Sequence, residues 1–105
     1  MSDILQRLEQ VIRARRGEDA GQSYTASLLA KGPAKCAEKF GEEAVEAVIA
    51  AALGDRDNLT AEAADVLYHL LVMLASRDVT LSDVLAELEH REGTSGIEEK
   101  NARRR

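Results

Sequence analysis

Residues 59–77 limit the possible folds of this chain more than any other segment, because as a helix they are apolar around almost the whole circumference. Residues placed about 100° apart around a helix axis put apolar groups on most of its surface: Val66, Leu67, Leu70, Leu71, Val72, Met73 and Leu74. Such a helix must be buried on nearly all sides. A chain of 105 residues has too few other helices to cover it, so the sequence predicts a bundle that is completed by a second copy.

The rest of the chain predicts four more helices, and therefore an all-α fold of about five helices. Apolar residues at helical spacing predict a helix over residues 3–15. Ser23 is a candidate N-cap for a helix over 24–30, and Pro33 suits the first turn of a helix over 33–53. We expect a single domain over residues 1–105, with a flexible tail at 94–105.

Two further caps are predicted in the C-terminal half. Asp57 or Asn58 is the expected N-cap of the apolar helix. Thr80, followed three residues later by Asp83, resembles a capping box and predicts a helix over 80–92.

Composition and charge exclude several classes of protein. The formal charge of −5 argues against a nucleic-acid binder, which needs a basic surface. No continuous run reaches the ~18 apolar residues of a membrane span, and the charged N-terminus MSDILQRLEQ is unlike a signal peptide. Cys36 is the single cysteine and has no internal disulfide partner. We therefore expect a cytoplasmic protein with no membrane and no nucleic acid among its partners.

A narrow polar stripe interrupts the apolar helix. Glu62, Asp65 and His69 lie within about 60° of one another around its axis. On the preceding helix, Glu43 and Glu46 lie one turn apart beside an expected core face made of Phe40, Ala44, Ala47, Val48 and Ala51. A short turn over residues 54–58 makes the two helices antiparallel neighbours. If the stripes face each other, four carboxylates meet.

Four like charges in a partly buried place need compensation. A hard divalent cation supplies it, and Mg²⁺, or Mn²⁺, is the ion that carboxylate oxygens favour when Cys and clustered His are absent. The predicted ligands are Glu43, Glu46, Glu62 and Asp65. Because Mg²⁺ commonly binds substrate phosphates as well, nearby Lys31, Lys35 and Lys39 are candidates for contacts with phosphate oxygens.

An alternative interpretation treats the same residues as ordinary surface. Glu-rich helix faces with Lys four residues away are usually solvated, and both ExxE and ExxD occur often by chance. His69 on an apolar helix is more often a hydrogen-bonded core or interface residue than a ligand. The pairing of the two motifs on consecutive helices, one within an apolar run, favours the metal site.

Several longer motifs resemble one enzyme family. They are SYTASLL at 23–29, KGP at 31–33, KCAEKFGEEAVE at 35–46, EAADVLYHLL at 62–71 and REGTSGIEEK at 91–100. Together they resemble the phosphoribosyl-ATP pyrophosphohydrolases of histidine biosynthesis, within the all-α, MazG-like nucleotide pyrophosphohydrolases. The ExxE and ExxD signature of that superfamily falls on the four acids named above.

The resemblance implies a Mg²⁺-dependent, at least dimeric enzyme that hydrolyses phosphoribosyl-ATP to phosphoribosyl-AMP and pyrophosphate. It implies that Glu42 or Glu46 is the catalytic base for an attacking water. The candidate substrate-binding residues, chosen by position and chemistry, are Tyr24, Ser27, Lys31, Lys35, Ser95 and Lys100. Two other functions stay open: a MazG-like housekeeping enzyme that hydrolyses common or damaged NTPs, and a non-enzymatic helical dimerisation module.

Overall fold

The computed structural model describes residues 3–92, and between them the chain forms five α-helices and no strand. The helices are α1 (Ile4–Arg15), α2 (Tyr24–Lys31), α3 (Pro33–Leu53), α4 (Arg56–Ser76) and α5 (Leu81–Arg91). The predicted all-α fold of five helices is confirmed. The predicted tail over 94–105 lies outside the described residues.

Two helices, α3 and α4, form an antiparallel hairpin that provides the most extensive packing in the chain, and α1 and α2 pack against it. Gly54 ends α3 in the left-handed conformation, with φ of 73°, which glycine adopts without the Cβ clash that other residues suffer. Asp55 then caps α4: its Oδ1 accepts the backbone N–H of Asn58 at 3.1 Å. Only Gly54 and Asp55 therefore separate the two helices.

The predicted N-cap of α4 was wrong. Asp57 and Asn58 lie inside the helix, which begins three residues earlier than the expected start at residue 59. The connection between α3 and α4 is correspondingly shorter than the predicted turn over 54–58. The reason is that the left-handed Gly54 turns the chain at once, so Asp55 is already in the extended conformation of a cap.

The other predicted caps are confirmed. The Ser23 hydroxyl accepts the backbone N–H of Ala26 at the start of α2. At the start of α5, Thr80 and Asp83 form a reciprocal capping box, with both hydrogen bonds at 3.0 Å. Pro33 occupies the first turn of α3, where its missing N–H has no helical partner to lose.

The core lies where α1, α2 and α3 meet the C-terminal half of α4. Its buried side chains are Ile12, Leu28, Cys36, Leu71, Val72, Ala75 and Leu81. The Cys36 thiol donates a hydrogen bond to the carbonyl of Leu28 at 3.3 Å, which ties α3 to α2. Since these contacts hold the C-terminal half of α4, its N-terminal half is positioned mainly by α3.

The expected core face of α3 was wrong in part. Cys36 and Ala50 are the buried residues of α3, whereas Val48 is 66% exposed and Ala51 is exposed as well. A continuous apolar stripe stays uncovered on the outer side of this helix, and we call it the α3 stripe: Val45, Val48, Ile49 and Leu53. The alanine-rich side of α3 therefore packs against α4, because small side chains let the two helices approach closely. The larger apolar side chains of the α3 stripe stay outside.

The helix α4 is long and apolar enough to span a membrane by length and composition. Core helices of water-soluble proteins share these properties. Within the single chain, 22% of the most apolar stretch of α4 is buried. Of its large apolar side chains, Leu67 is 43% exposed, whereas Val66, Leu70, Met73 and Leu74 are half-buried.

Candidate metal centre

A seven-residue spacing directs one glutamate of α3 toward α4. Cys36 and Ala50 are buried residues of α3, and Glu43 lies midway between them, seven residues from each. Residues seven apart on a helix lie on nearly the same face. Glu43 therefore occupies a core-facing position although its side chain is charged, and the structure leaves it half-buried.

Three carboxylates meet between the two helices. Oxygen atoms of Glu43, Glu62 and Asp65 all lie within 4.8 Å of one another, and we call these residues the carboxylate cluster. Glu62 is half-buried and Asp65 is exposed, so the cluster opens to solvent on one side. The Oε2 atom of Glu62 is buried and has no hydrogen-bond partner among the described residues.

The electrostatics of the cluster reflect crowding of like charges. Burial, followed by the nearby Glu46 carboxyl and then by Asp65, raises the pKa of Glu62 above its usual value of 4.5. The pKa of Glu43 is raised for the same reasons in the same order, with Glu62 a smaller contribution. Both shifts mean that the protein by itself disfavours the charged forms that a metal ion needs.

The donors present fit a hard divalent cation. The cluster offers only carboxylate oxygens, which are the ligands of Mg²⁺ and Mn²⁺ in proteins. An unpartnered buried oxygen such as Oε2 of Glu62 costs free energy unless it finds a partner. A bound cation would be a partner for the lone oxygen, and its charge would offset the repulsion among the acids.

Glu46 and Glu42 lie at the edge of this group. Glu46 is exposed and is not one of the three mutually close carboxylates, yet it lies near enough to contribute to the raised pKa of Glu43 and Glu62. Glu42 instead forms an ion pair with Lys39, with 3.0 Å between Oε2 and Nζ. The hydrogen bond and charge of Lys39 lower the pKa of Glu42, which makes its carboxylate a weaker base.

The predicted substrate-binding residues are spread over α2 and the start of α3. Tyr24 is 57% exposed, Ser27 is half-buried, and Lys31 is exposed in the last turn of α2. Lys35 Nζ lies 3.4 Å from Oε2 of Glu38 in an exposed ion pair. Ser95 and Lys100 lie outside the described residues.

Sequence reasoning favoured a hydrogen-bonded structural histidine at position 69, and the structure shows a different environment. His69 is 6% exposed, but its Nδ1 has no hydrogen-bond partner among the described residues. Its ring lies near two tyrosines, with 4.9 Å between the centroids of His69 and Tyr68 and 6.3 Å between those of His69 and Tyr24. Only the polar stripe shared with Glu62 and Asp65 pointed to this residue in the sequence.

A helical hairpin with a cluster of acids between its two helices defines a class: all-α proteins with a carboxylate site suited to a divalent cation. Comparison with known proteins then identifies the group within that class. The family described as phosphoribosyl-ATP pyrophosphohydrolase matches residues 5–92. The chain belongs to this family of hydrolases, and the resemblance noted in its motifs is confirmed.

Curated relatives named phosphoribosyl-ATP pyrophosphatase match nearly the full length of the chain. The protein from Dinoroseobacter shibae is 71% identical over 100 residues, which cover 95% of this chain and 98% of the relative. The protein from Paracoccus denitrificans is 69% identical over 100 residues, covering 95% and 93%. The protein from Ruegeria pomeroyi is 67% identical, with 95% of each covered.

Proposed function

We propose that this chain hydrolyses phosphoribosyl-ATP to phosphoribosyl-AMP and pyrophosphate, the second step of histidine biosynthesis, with a divalent cation bound to the carboxylate cluster. The observation that carries the proposal is the meeting of three carboxylates of α3 and α4 within 4.8 Å, with one buried oxygen unpartnered. The names of the relatives support the choice of substrate. In the reaction, a water oxygen bonds to phosphorus and the anhydride bond between the α and β phosphates breaks.

The proposed metal ligands are Glu43, Glu62 and Asp65, whose oxygens meet, with the neighbouring Glu46 as a fourth. The proposed ion is Mg²⁺, with Mn²⁺ as a substitute. When bound, such an ion offsets the negative charge of the phosphates and of the departing pyrophosphate. The exposed side of the cluster, at Asp65, gives the polyphosphate access.

The protein's own side chains supply the other requirements. Glu46, exposed beside the cluster, is the proposed acceptor of the proton that the attacking water loses. Glu42 is the weaker candidate because its ion pair with Lys39 lowers its pKa. Lys35 and Lys39 lie on α3 in the turns that precede the acids, where their ammonium groups can bind phosphate oxygens.

We further propose a homodimer or larger homo-oligomer in the cytoplasm. The α3 stripe is exposed, and only 22% of the most apolar part of α4 is buried within one chain. Contiguous exposed apolar surface of this kind marks an association site, and a second copy supplies the same surface in return. The single buried thiol, Cys36, is suited to a reducing compartment.

The test of this function is release of pyrophosphate from phosphoribosyl-ATP by wild type and by Asp65→Asn, with Mg²⁺ and with EDTA. We expect metal-dependent turnover by wild type and a loss on the order of a hundredfold in the variant, as for removal of one group that stabilises transition-state charge. Asp57→Asn is the matched control, because it makes the same change in the exposed first turn of the same helix.

Three outcomes would contradict parts of the proposal. Turnover of common NTPs in place of phosphoribosyl-ATP would move the protein to the MazG-like housekeeping enzymes with the same metal centre. Equal loss of activity in Asp57→Asn and Asp65→Asn would remove the special role of the carboxylate cluster. No hydrolysis of any nucleotide would leave a helical dimerisation module.

A further inference from the structure

His69 is the one buried polar or charged side chain within residues 3–92. Nδ1 is fully buried without a partner, and no described residue forms a hydrogen bond with Nε2 either, which makes Nε2 the ring nitrogen that reaches the surface. Buried polar groups in proteins are nearly always hydrogen-bonded. An imidazole with neither nitrogen bonded to its own chain is therefore suited to a partner that arrives from outside.

The position of the proton on this ring follows from its surroundings. A buried N–H without an acceptor is rarer in proteins than an acceptor that lacks a donor. Because Nδ1 has no partner, we expect the proton of the neutral ring on Nε2. Burial, and then the positive charge of Lys39, lower the pKa of His69 below 6.5 against the opposing effects of Asp65 and Glu42, which favours the neutral ring at pH 7.

Two tyrosines fix the orientation of the ring. Tyr68 lies edge-on to His69 at 4.9 Å between centroids, and its hydroxyl is hydrogen-bonded to the hydroxyl of Thr25 on α2. The ring of Tyr24 lies 6.3 Å from that of His69 between centroids and is nearly perpendicular to it. Aromatic rings prefer this arrangement, so the imidazole is held in one place before any ligand binds.

Groups of different chemistry follow one another along the hairpin. The carboxylate cluster comes first, and one helical turn further along α4, about 6 Å from Asp65, comes His69. On α3, Lys39 precedes Glu43 by one turn, and its charge acts on His69. Tyr24 adjoins His69, with 6.3 Å between the ring centroids, and 57% of its surface is exposed. A nucleotide has the matching order of phosphates, sugar and base.

We propose that the Nε2–H of His69 donates a hydrogen bond to a sugar oxygen of the nucleotide, next to the phosphates at the carboxylate cluster. The exposed ring of Tyr24 then lies where the base can stack on it. The assignment rests on the proposed function, since it places the sugar relative to polyphosphate at the cluster. It makes His69 a substrate-binding residue rather than part of the core.

Nitrogen NMR of the two imidazoles tests the proposal without any turnover. We expect His69 in the wild-type protein to be neutral with its proton on Nε2 at pH 7, and we expect AMP to shift Nε2. Inorganic pyrophosphate should leave it unshifted. His90, exposed on α5, is the internal control. A proton on Nδ1, a shift with pyrophosphate alone, or no shift with AMP at saturation of the protein would overturn the assignment.

Kinetics give a second, independent readout. His69→Phe keeps a ring in the aromatic contact but removes both nitrogens, and we expect KM to rise about tenfold with a smaller change in kcat, as for loss of one hydrogen bond to substrate. His69→Gln places an N–H near the position of Nε2 and should recover most of the loss. A folded His69→Phe enzyme with wild-type KM would refute the role. Absence of turnover in wild type would refute the proposed function, while the AMP shift tests the assignment separately.

Discussion

Single side chains in the carboxylate cluster make the stability of the fold depend on pH. Glu43 and Glu62 have pKa values raised above 4.5 in the folded chain. The folded state therefore binds their protons more tightly than the unfolded state does. Their protonation favours folding at acidic pH, and this contribution is lost as the pH rises through the raised pKa values. At neutral pH without metal, both groups oppose folding.

Because charged Glu62 opposes folding at neutral pH, the variant Glu62→Gln leads to a prediction. In EDTA at pH 7 the variant should melt at a higher temperature than wild type, because an uncharged amide removes repulsion from the cluster. The difference should shrink as the pH falls toward 4.5, where Glu62 itself becomes protonated. Mg²⁺ should raise the melting temperature of wild type much more than that of the variant.

Thermal unfolding followed by circular dichroism at several pH values checks this prediction. Glu89→Gln on the exposed surface of α5 is the control and should behave as wild type throughout. A variant that is less stable than wild type in EDTA at pH 7 would show that the glutamates are not repelling one another.

The acids of the cluster were predictable from sequence, whereas the state of His69 was not. Spacing alone puts Glu62 and Asp65 on one side of α4, and the short connection to α3 brings Glu43 opposite them. Whether a buried nitrogen finds a partner depends on the side chains that α2 and α3 present to it. Periodicity along one helix carries no information about those contacts.

At the scale of the elements, the hairpin depends on the left-handed residue that ends α3. Gly54 has φ of 73°, and a Cβ there would have no atom within 4 Å. The cost of Gly54→Ala is therefore that of the backbone alone, about 1–2 kcal/mol of stability. Urea denaturation at fixed protein concentration measures it.

Gly41→Ala is the matched comparison. Gly41 lies inside α3 with open space around the position of a Cβ and without a positive φ. Alanine is the better helix former by about 0.5–1 kcal/mol, so this variant should be more stable than wild type. Equal effects of the two substitutions would mean that Gly54 does not hold the turn by its conformation.

The bounds of most helices followed from sequence, and the exception has a clear physical origin. Ser23 and Thr80 each stand as an obvious cap before a run of helical residues. Before α4, by contrast, Asp55, Asp57 and Asn58 are all good caps. The left-handed conformation of Gly54 selects Asp55 among these three residues. Capping preferences alone do not predict that conformation.

At the scale of the whole molecule, the uncovered apolar surface predicts where two copies meet. Val48 in the α3 stripe is 66% exposed, and Leu88 on α5 is 56% exposed. We expect Val48→Lys to raise the dimer dissociation constant tenfold or more, which corresponds to about 1.4 kcal/mol. Leu88→Lys, the same kind of change on a different apolar surface, should leave association unchanged.

Sedimentation velocity over a range of concentrations distinguishes the two variants. The reverse result, with only Leu88→Lys dissociating, would place the interface on α5. The amount of apolar sequence in α4 leads us to expect a second copy, but it does not say which surface that copy would contact. The sequence pointed to Val48 as a core residue, because helix periodicity does not say which apolar side of α3 faces its own chain.

The two-residue connection between α3 and α4 has a kinetic consequence. Contacts between helices that are adjacent in sequence form early, since little chain entropy is lost in closing so short a loop. We therefore expect the acids on the two helices to come together in the transition state of folding, before α5 docks. We expect their repulsion to slow folding more than it speeds unfolding. In stopped-flow refolding, Mg²⁺ or mild acid should accelerate the folding limb, so the ion proposed for the chemistry would also change how quickly the chain reaches its native state.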